Sequence, residues 1–403
     1  MKLLLLITSI LLTTQLFAQK MIKGQVLEAE KNKPVPSASV FLNNTSIGTI
    51  TDAQGRFELL VPSGKYDLIV SSVGYETFSR TITASELNDA LTITLKLKAP
   101  ELETVVIEPF EKDGWATWGK FFTENFIGTS ALAADCRIKN YKTIRFRNSK
   151  KNKELTATAY DPLIIENKAL GYTIRYQLES FRYDFKTHYL VFTGYPYFEP
   201  MKGSEGRQKR WQKKREEAYL GSMMHFMRSL FRNQLLQQGF EVRALQKVEN
   251  TEKKRIRSVY STNSKATRNA DGTLMVATIN QDTAAYYNKI LSQEDFRDVI
   301  GREVLPGDSI AYAVNETTAG FDFSNYLLVI YKNKIAPPEY QRDFPKSSTA
   351  MMSQLTLING TPVEVQSNGS YFNPEDLLSL GYWAWSEKVA TMLPFDFELP
   401  KGK

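Results

Sequence analysis

Apolar and polar positions in the first hundred residues change over in short bursts. Phe57, Leu59 and Val61, then Tyr66, Leu68 and Val70, recur at every second position, as half-buried strands require. Seven strands are predicted, over residues 22–27, 38–42, 47–51, 57–61, 66–73, 76–82 and 91–97. Turn chemistry separates them at Asn43-Asn44, Asp52-Ala53-Gln54-Gly55 and Pro62-Ser63-Gly64. Short strands with regular turn signals argue for an all-β sandwich.

Beyond Gly114 the period changes. Trp115, Trp118, Phe122 and Phe126 lie three or four residues apart and predict a helix over 115–126 whose aromatic stripe reads as core. Runs at 143–147, 155–160, 163–165, 172–178 and 189–192 predict an antiparallel meander. In the fourth, Tyr172, Ile174, Tyr176 and Leu178 alternate with polar residues, so that one face meets a core and the other water. One long amphipathic helix is expected over 206–238, with Tyr219, Met223, Phe226 and Leu230 on one face and Gly239 as its stop. Residues 278–291 and 295–300 suit either helix or strand, and 323–332 reads as strand. A hairpin is expected over 355–365 around Asn359-Gly360. Asn373 is placed as an N-cap with Pro374 in the first helical position. Strands around helices make 115–403 an α+β domain. It follows a sandwich over 19–98 and a linker over 99–114.

The N-terminus sets the expected compartment. Lys2 precedes an apolar stretch, and Leu16-Phe17-Ala18 places a small residue where a signal peptidase cuts. Residues 1–18 therefore read as a secretory signal, and no later stretch is apolar for long enough to span a bilayer as a helix. The 403 residues are 42% hydrophobic, enough for two domains with real cores. The single cysteine, Cys136, excludes an internal disulfide framework and reads as a buried thiol.

Several motifs in order carry a family resemblance. They are Gly24-x-Val26, Pro36-x-Ala38-x-Val40, Gly48-Thr49-x-Thr51-Asp52-x-x-Gly55-x-Phe57, Pro62-x-Gly64-x-Tyr66 and Val73-Gly74-Tyr75. This set resembles the carboxypeptidase-regulatory-like, transthyretin-like domain of Bacteroidota envelope proteins. The resemblance implies a seven-stranded Greek-key sandwich and no peptidase activity of its own. The same domain precedes the plug and barrel of TonB-dependent receptors, where 102–107 would be the short strand that follows it. Only roughly 290 residues follow Pro109, too few for a plug and a large barrel, so a smaller exported protein is expected.

Catalytic signatures are missing from the sequence. Neither His188 nor His225 sits in a zinc-peptidase motif. No Gly-x-Ser-x-Gly elbow or phosphate loop occurs. A glycosidase needs only two carboxylates, and Glu166, Glu179, Asp184, Glu199 and Asp322 lie near aromatics in strand-like runs. These read as solvent-facing strand residues. No cofactor or metal is expected.

Two binding surfaces are candidates. Arg207, Lys209, Arg210, Lys213, Lys214 and Arg215 form a basic helix face around Trp211. Export makes nucleic acid an unsuitable partner, whereas an anionic lipid or glycan surface, or an envelope protein, suits such a face. Lys253, Lys254, Arg255 and Arg257 form a second basic run. Tyr195, Tyr197, Trp211, Trp383 and Trp385 could form an aromatic sugar platform. The expectation is a non-enzymatic envelope protein, periplasmic or held at the outer membrane. A glycan-binding accessory protein or a glycan hydrolase is the alternative.

Overall fold

The computed structural model describes residues 20–87, 90–98, 109–263, 267–268, 274–275, 281–345 and 347–400. The expected secretory signal, the strand expected over 102–107 and most of the expected linker lie outside them. Among the described residues the fold is mostly β, with several antiparallel sheets and seven α-helices. The buried apolar side chains form three separate clusters.

The first cluster lies within a β-sandwich. Its strands are β1 (Lys20–Glu28), β2 (Ser39–Leu42), β3 (Gly48–Ile50), β4 (Arg56–Val61), β5 (Lys65–Ser71), β6 (Phe78–Thr83) and β7 (Leu91–Leu95). One sheet runs β4-β1-β7 and the other β3-β2-β5-β6. Burial along β4 alternates strictly, as its sequence pattern requires, and Leu59 shares one core with Leu68, Val70 and Ile93. The turn before β4 is fixed by Asp52, whose carboxylate accepts the N–H of Gln54 at 2.9 Å and of Arg56 at 2.8 Å.

The second cluster is built on one long strand. After α1 (Gly114–Phe126) come β8 (Cys136–Ile138), β9 (Ile144–Ser149), β10 (Glu154–Ala159), β11 (Leu163–Asn167), β12 (Tyr172–Asp184) and β13 (Tyr189–Pro200). β12 pairs with β11 and β10, and with β13 along its whole length. The expected meander is present, with its last two strands longer than their apolar runs. Helix α1 lays Phe122 and Phe126 onto this sheet, 4.7 Å from Phe181 and 5.0 Å from Tyr176 between ring centroids.

The third cluster involves the remaining elements. These are α2 (Glu205–Tyr219), α3 (Met223–Phe231), β14 (Phe240–Glu249), α4 (Thr251–Asn263), β15 (Thr267–Arg268), β16 (Leu274–Met275), α5 (Gln281–Leu291) and β17 (Phe296–Ile300). Then follow β18 (Ala311–Ala313), β19 (Thr318–Phe321), β20 (Tyr326–Ile335), α6 (Pro338–Asp343), β21 (Ala350–Leu357), β22 (Val363–Gln366), β23 (Tyr371–Phe372), β24 (Leu377–Gly381) and α7 (Tyr382–Ser386). A β17-β14-β20-β21-β24 sheet and a β18-β19-β22-β23 sheet enclose α3 and Trp383.

Three sequence expectations need correction. The single helix over 206–238 is two helices, α2 and α3. Gly221 between them has φ +90°, and Ser222 caps α3 by accepting the N–H of His225 at 3.1 Å. Tyr219 therefore joins the second cluster while Met223, Phe226 and Leu230 join the third. The expected hairpin over 355–365 is not one, because β21 and β22 belong to different sheets. Asn359-Gly360 does make a turn, tied by the Asn359 side chain to Asp376 at 3.2 Å. Asn373 sits at φ +60° before a short 3-10 turn, and its side chain caps nothing.

A C-terminal strap over residues 387–397 joins the clusters. The N–H groups of Val389 and Ala390 donate to the carbonyls of Phe126 and Ile127, both at 3.1 Å. Asn167 donates to the Ala390 carbonyl at 2.9 Å. Phe395 N–H reaches the Asn44 carbonyl in the sandwich at 2.7 Å. Arg228 of α3 donates to the Phe395 carbonyl at 3.1 Å.

Candidate functional site

The basic face is held in place by its own buried residues. Helix α2 is strongly polar, and a helix of that kind needs an anchor to stand on a protein surface. Trp211 provides one. Its indole N–H donates to the Lys168 carbonyl at 2.8 Å, and only 7% of the residue is exposed. The ring lies over Gly171 (φ +70°), where a Cβ would stand 2.2 Å from it. Arg215 provides the second anchor. Its guanidinium donates to the carbonyls of Leu170 at 2.7 Å and Gly171 at 3.1 Å, 4.0 Å over the Tyr172 ring. Arg215 thus points inward, away from the proposed face.

The remaining cations of the run are exposed. Lys214 pairs with Glu217 at 2.8 Å. Arg207, Lys209, Arg210 and Lys213 have no ion-pair partner among the described residues. The second basic run behaves differently. Lys253 and Arg257 pair with Asp295, Lys254 with Glu249 and Arg255 with Glu252, all within 3.0 Å. Local charge there is compensated, whereas on α2 it is not.

The five aromatic candidates do not form an exposed platform. Trp383 is 2% and Trp385 9% exposed. The Trp383 N–H donates to the Gly221 carbonyl at 2.9 Å. That of Trp385 reaches Thr129 Oγ1 at 2.9 Å and Asp343 at 3.0 Å. Tyr195 and Tyr197 are half-buried on β13, and the Tyr197 ring packs 5.2 Å from Phe41 of the sandwich. Burial of the indoles follows from their single donor each finding an internal carbonyl or oxygen.

The titratable candidates are dispersed. His225 is enclosed by Tyr219, Phe240 and Tyr331, and its ring nitrogens meet Gly221 N–H and Gln238, each at 3.2 Å. Burial lowers its pKa to about 4 and keeps it neutral. His188 occupies an exposed turn. Burial pushes the Cys136 thiol up to about 12, away from the reactive thiolate. Glu166 pairs with Lys139, Glu199 with Arg175, and Asp184 accepts the N–H groups of Lys186 and Thr187. Glu179 is linked instead to Thr77 and Lys98 of the sandwich segment, and burial raises its pKa. Asp322 is exposed. Among the described residues no group of three or more His, Cys, Asp or Glu is arranged to hold a metal.

A cavity of about 230 Å³ opens where the second and third clusters meet. Its wall includes Lys214 and Glu217 of α2, Lys334 and Ile335 of β20, Tyr382 and Trp385 of α7, and Ser130, Ser386 and Glu387. Glu387 accepts the N–H of Met223 at 3.0 Å, where the N-terminus of α3 favours negative charge. Burial nevertheless dominates and raises its pKa to about 7. Burial lowers the neighbouring Lys388 to about 8. No sequence motif marks Glu387, since its helix contact lies 164 residues away.

Those two shifts predict a pH profile. Between its ordinary value of 4.5 and about 7, the folded chain keeps a proton on Glu387 that the unfolded chain has lost. Stability from this group is full below 4.5 and declines as pH rises to about 7. For Lys388 the unfolded chain holds the extra proton between about 8 and 10.5, so stability recovers as pH rises through that window. Chemical denaturation of Glu387→Gln should show the acid-side decline flattened, by on the order of 2 kcal/mol. An unchanged slope between those pH values would refute the assignment.

Residues 22–107 match the family model of the CarboxypepD_reg-like domain. The TonB-dependent receptor P39 of Formosa agariphila is 32% identical over 104 residues, which is 26% of this chain and 10% of the receptor. The TonB-dependent receptor SusC of Bacteroides thetaiotaomicron is 31% identical over 105 residues, with the same two coverages, 26% and 10%. The chain therefore spans about a tenth of the length of the curated relatives it matches. A solved DUF3823 family protein from Bacteroides ovatus aligns over 87% of this chain and 99% of its own, at 10% identity and a TM-score of 0.16. A score that low carries no argument about fold or function.

The CarboxypepD_reg-like module is fastened to the rest of the molecule. Asn44 N–H donates to the Pro196 carbonyl at 2.8 Å, and Phe198 N–H to the Thr45 carbonyl at 3.0 Å. Lys65 pairs with Glu364 at 2.5 Å and lies 4.6 Å over the Phe372 ring. Lys98 donates to the Tyr160 carbonyl at 2.9 Å. Backbone, strap and side-chain contacts together make the module part of one body.

Proposed function

We propose that this is a non-enzymatic protein of the cell envelope that rests on an anionic lipid surface through helix α2. The observation that carries this reading is the set of four exposed, uncompensated cations, Arg207, Lys209, Arg210 and Lys213, on a helix fastened by Trp211 and Arg215. Each cation near an anionic surface contributes about 1 kcal/mol. Four together give an affinity that is useful yet reversible. A rigid mount also limits the ordering cost of contact. The module, locked to the other clusters, acts as a spacer.

Export and envelope location are supported by the sequence at residues 1–18 and by the curated relatives. No helix among the described residues is long and apolar enough to cross a membrane. The non-enzymatic reading draws support from the separate local pairing of Glu166, Glu199 and Asp184 and from the burial of His225 and Cys136. A glycan platform is less favoured, because the three tryptophans that would form it are buried.

Cell fractionation tests the reading. The protein should leave the cytoplasm, sediment with envelopes at low salt and be released by a high-salt wash without detergent. Recovery in the cytoplasm, or retention through the wash, would contradict it.

A further inference from the structure

The cavity between the second and third clusters has walls that are matched to a ligand of one charge. Its two lysines are already engaged. Lys214 is paired with Glu217, and Lys334 donates to the carbonyls of Glu217 at 2.5 Å and Leu220 at 3.0 Å. Its other two carboxylates, Glu339 and Glu387, form no ion pair within 4 Å among the described residues, and Glu387 feels only the adjoining Lys388. Ser386 is only 8% exposed, and its hydroxyl has no hydrogen-bond partner. The buried hydroxyl of Ser130, on the same wall, has none either. A buried polar group without a partner costs about 1–3 kcal/mol, and a serine hydroxyl changes direction by one torsion between staggered positions. The wall thus offers acceptors and hydroxyls, while its cations are spent.

We propose that this cavity binds a small organic ammonium ion, a primary amine on a compact apolar body, with its charge between Glu387 and Glu339. The ammonium supplies three donors, enough for a carboxylate and the two free serine hydroxyls. Tyr382 and Trp385, 5.7 Å apart between ring centroids, give aromatic surface that favours a cation. Leu132, Ile335, Pro337 and Met351 receive the apolar body. A cavity of 150 Å³ accepts benzene, so 230 Å³ admits about ten non-hydrogen atoms. An anion would meet two carboxylates, and a neutral alcohol would leave Glu387 uncompensated. The proposal is independent of surface binding by α2.

The charged neighbours of Glu387 set the expected pH response. Lys388 adjoins it in sequence, and Tyr371 and Tyr382 feel its charge. Lys214, Lys334, Glu217 and Glu339 share the cavity wall. His225, behind Gly221, is neutral. Among these, Glu387 gains its charge near pH 7 and Lys388 loses its charge near pH 8, so the surroundings of the cavity become more negative as pH rises, and an amine should bind more tightly.

Calorimetric titration of the full chain with benzylamine, and with benzyl alcohol as its neutral analogue, tests this. At about pH 8 the amine should bind one to one and about tenfold more tightly than the alcohol, a preference that shrinks at about pH 6. Glu387→Gln should abolish the preference, with thermal melting as the check on folding. Glu339→Gln should reduce it and serves if the first variant does not fold. Equal affinity for amine and alcohol, no heat from the amine up to about 10 mM, or an unchanged preference in folded Glu387→Gln would each overturn the proposal.

Discussion

A chain ending at Lys388 will lose the cooperative fold of its second cluster. The segment removed buries Val389, Ala390, Leu393 and Phe397 against α1 and the β12 sheet. Full burial of a large apolar side chain contributes about 1.5–3 kcal/mol. Loss of the Val, Leu and Phe side chains alone then costs roughly 4.5–9 kcal/mol, a large part of the 5–15 kcal/mol that holds a typical domain together. The truncation also leaves the carbonyls of Phe126 and Ile127 without their donors and the Asn167 Nδ2 without its acceptor. It also removes two of the ties to the sandwich, since Phe395 and Asp396 hold Asn44 and Ser46. Near-ultraviolet circular dichroism with thermal melting should show lost aromatic packing and no single sharp transition. A melting temperature close to that of the full chain would refute the role given to the strap.

Trp211→Ala will release the basic helix while leaving every cation in the sequence. Truncation of a buried tryptophan costs about 3–5 kcal/mol, and here the Lys168 carbonyl also loses its donor. Without the ring over Gly171 and Gly203, helix α2 keeps Arg215 as its main anchor at that end. Hydrogen exchange should accelerate across residues 205–219 well before it does in α1. Binding to anionic vesicles should weaken although net charge is unchanged. Protected amides in α2 of the variant would show that the helix is held by something else.

Much of the sandwich was legible because its signals are local. Strict alternation in β4 and the Asp52 turn need no knowledge of distant residues. The first strand of the meander and α1 were readable for the same reason. Where the sequence reading erred, two local signals competed or a distant partner decided. Apolar spacing from Tyr219 to Leu230 ran on unbroken, yet Gly221-Ser222 is a stop followed by a new cap. Asn359-Gly360 announces a turn but does not say which sheet the next strand enters. Trp211 looked like part of a binding surface because its seat, Gly171 and Gly203, is invisible from residues 207–215. The cavity was not legible at all, since it assembles Ser130, Lys214, Lys334 and Glu387 from four distant parts of the chain. The basic run itself was legible as composition. Which cations stay free was not, because that depends on Glu217 taking Lys214 and on backbone carbonyls taking Arg215.

Sedimentation with anionic phospholipid vesicles, comparing the full chain with a variant carrying R207E, K209E, R210E and K213E, tests the central claim most directly. All four positions are exposed and unpaired among the described residues, so the variant should melt as the parent does. The parent should pellet with vesicles at low salt and be released near 1 M salt, where the screening length is about 3 Å. The variant should stay in the supernatant throughout. Equal pelleting of variant and parent, or pelleting of the parent that ignores salt, would contradict the assignment of α2 as the contact surface.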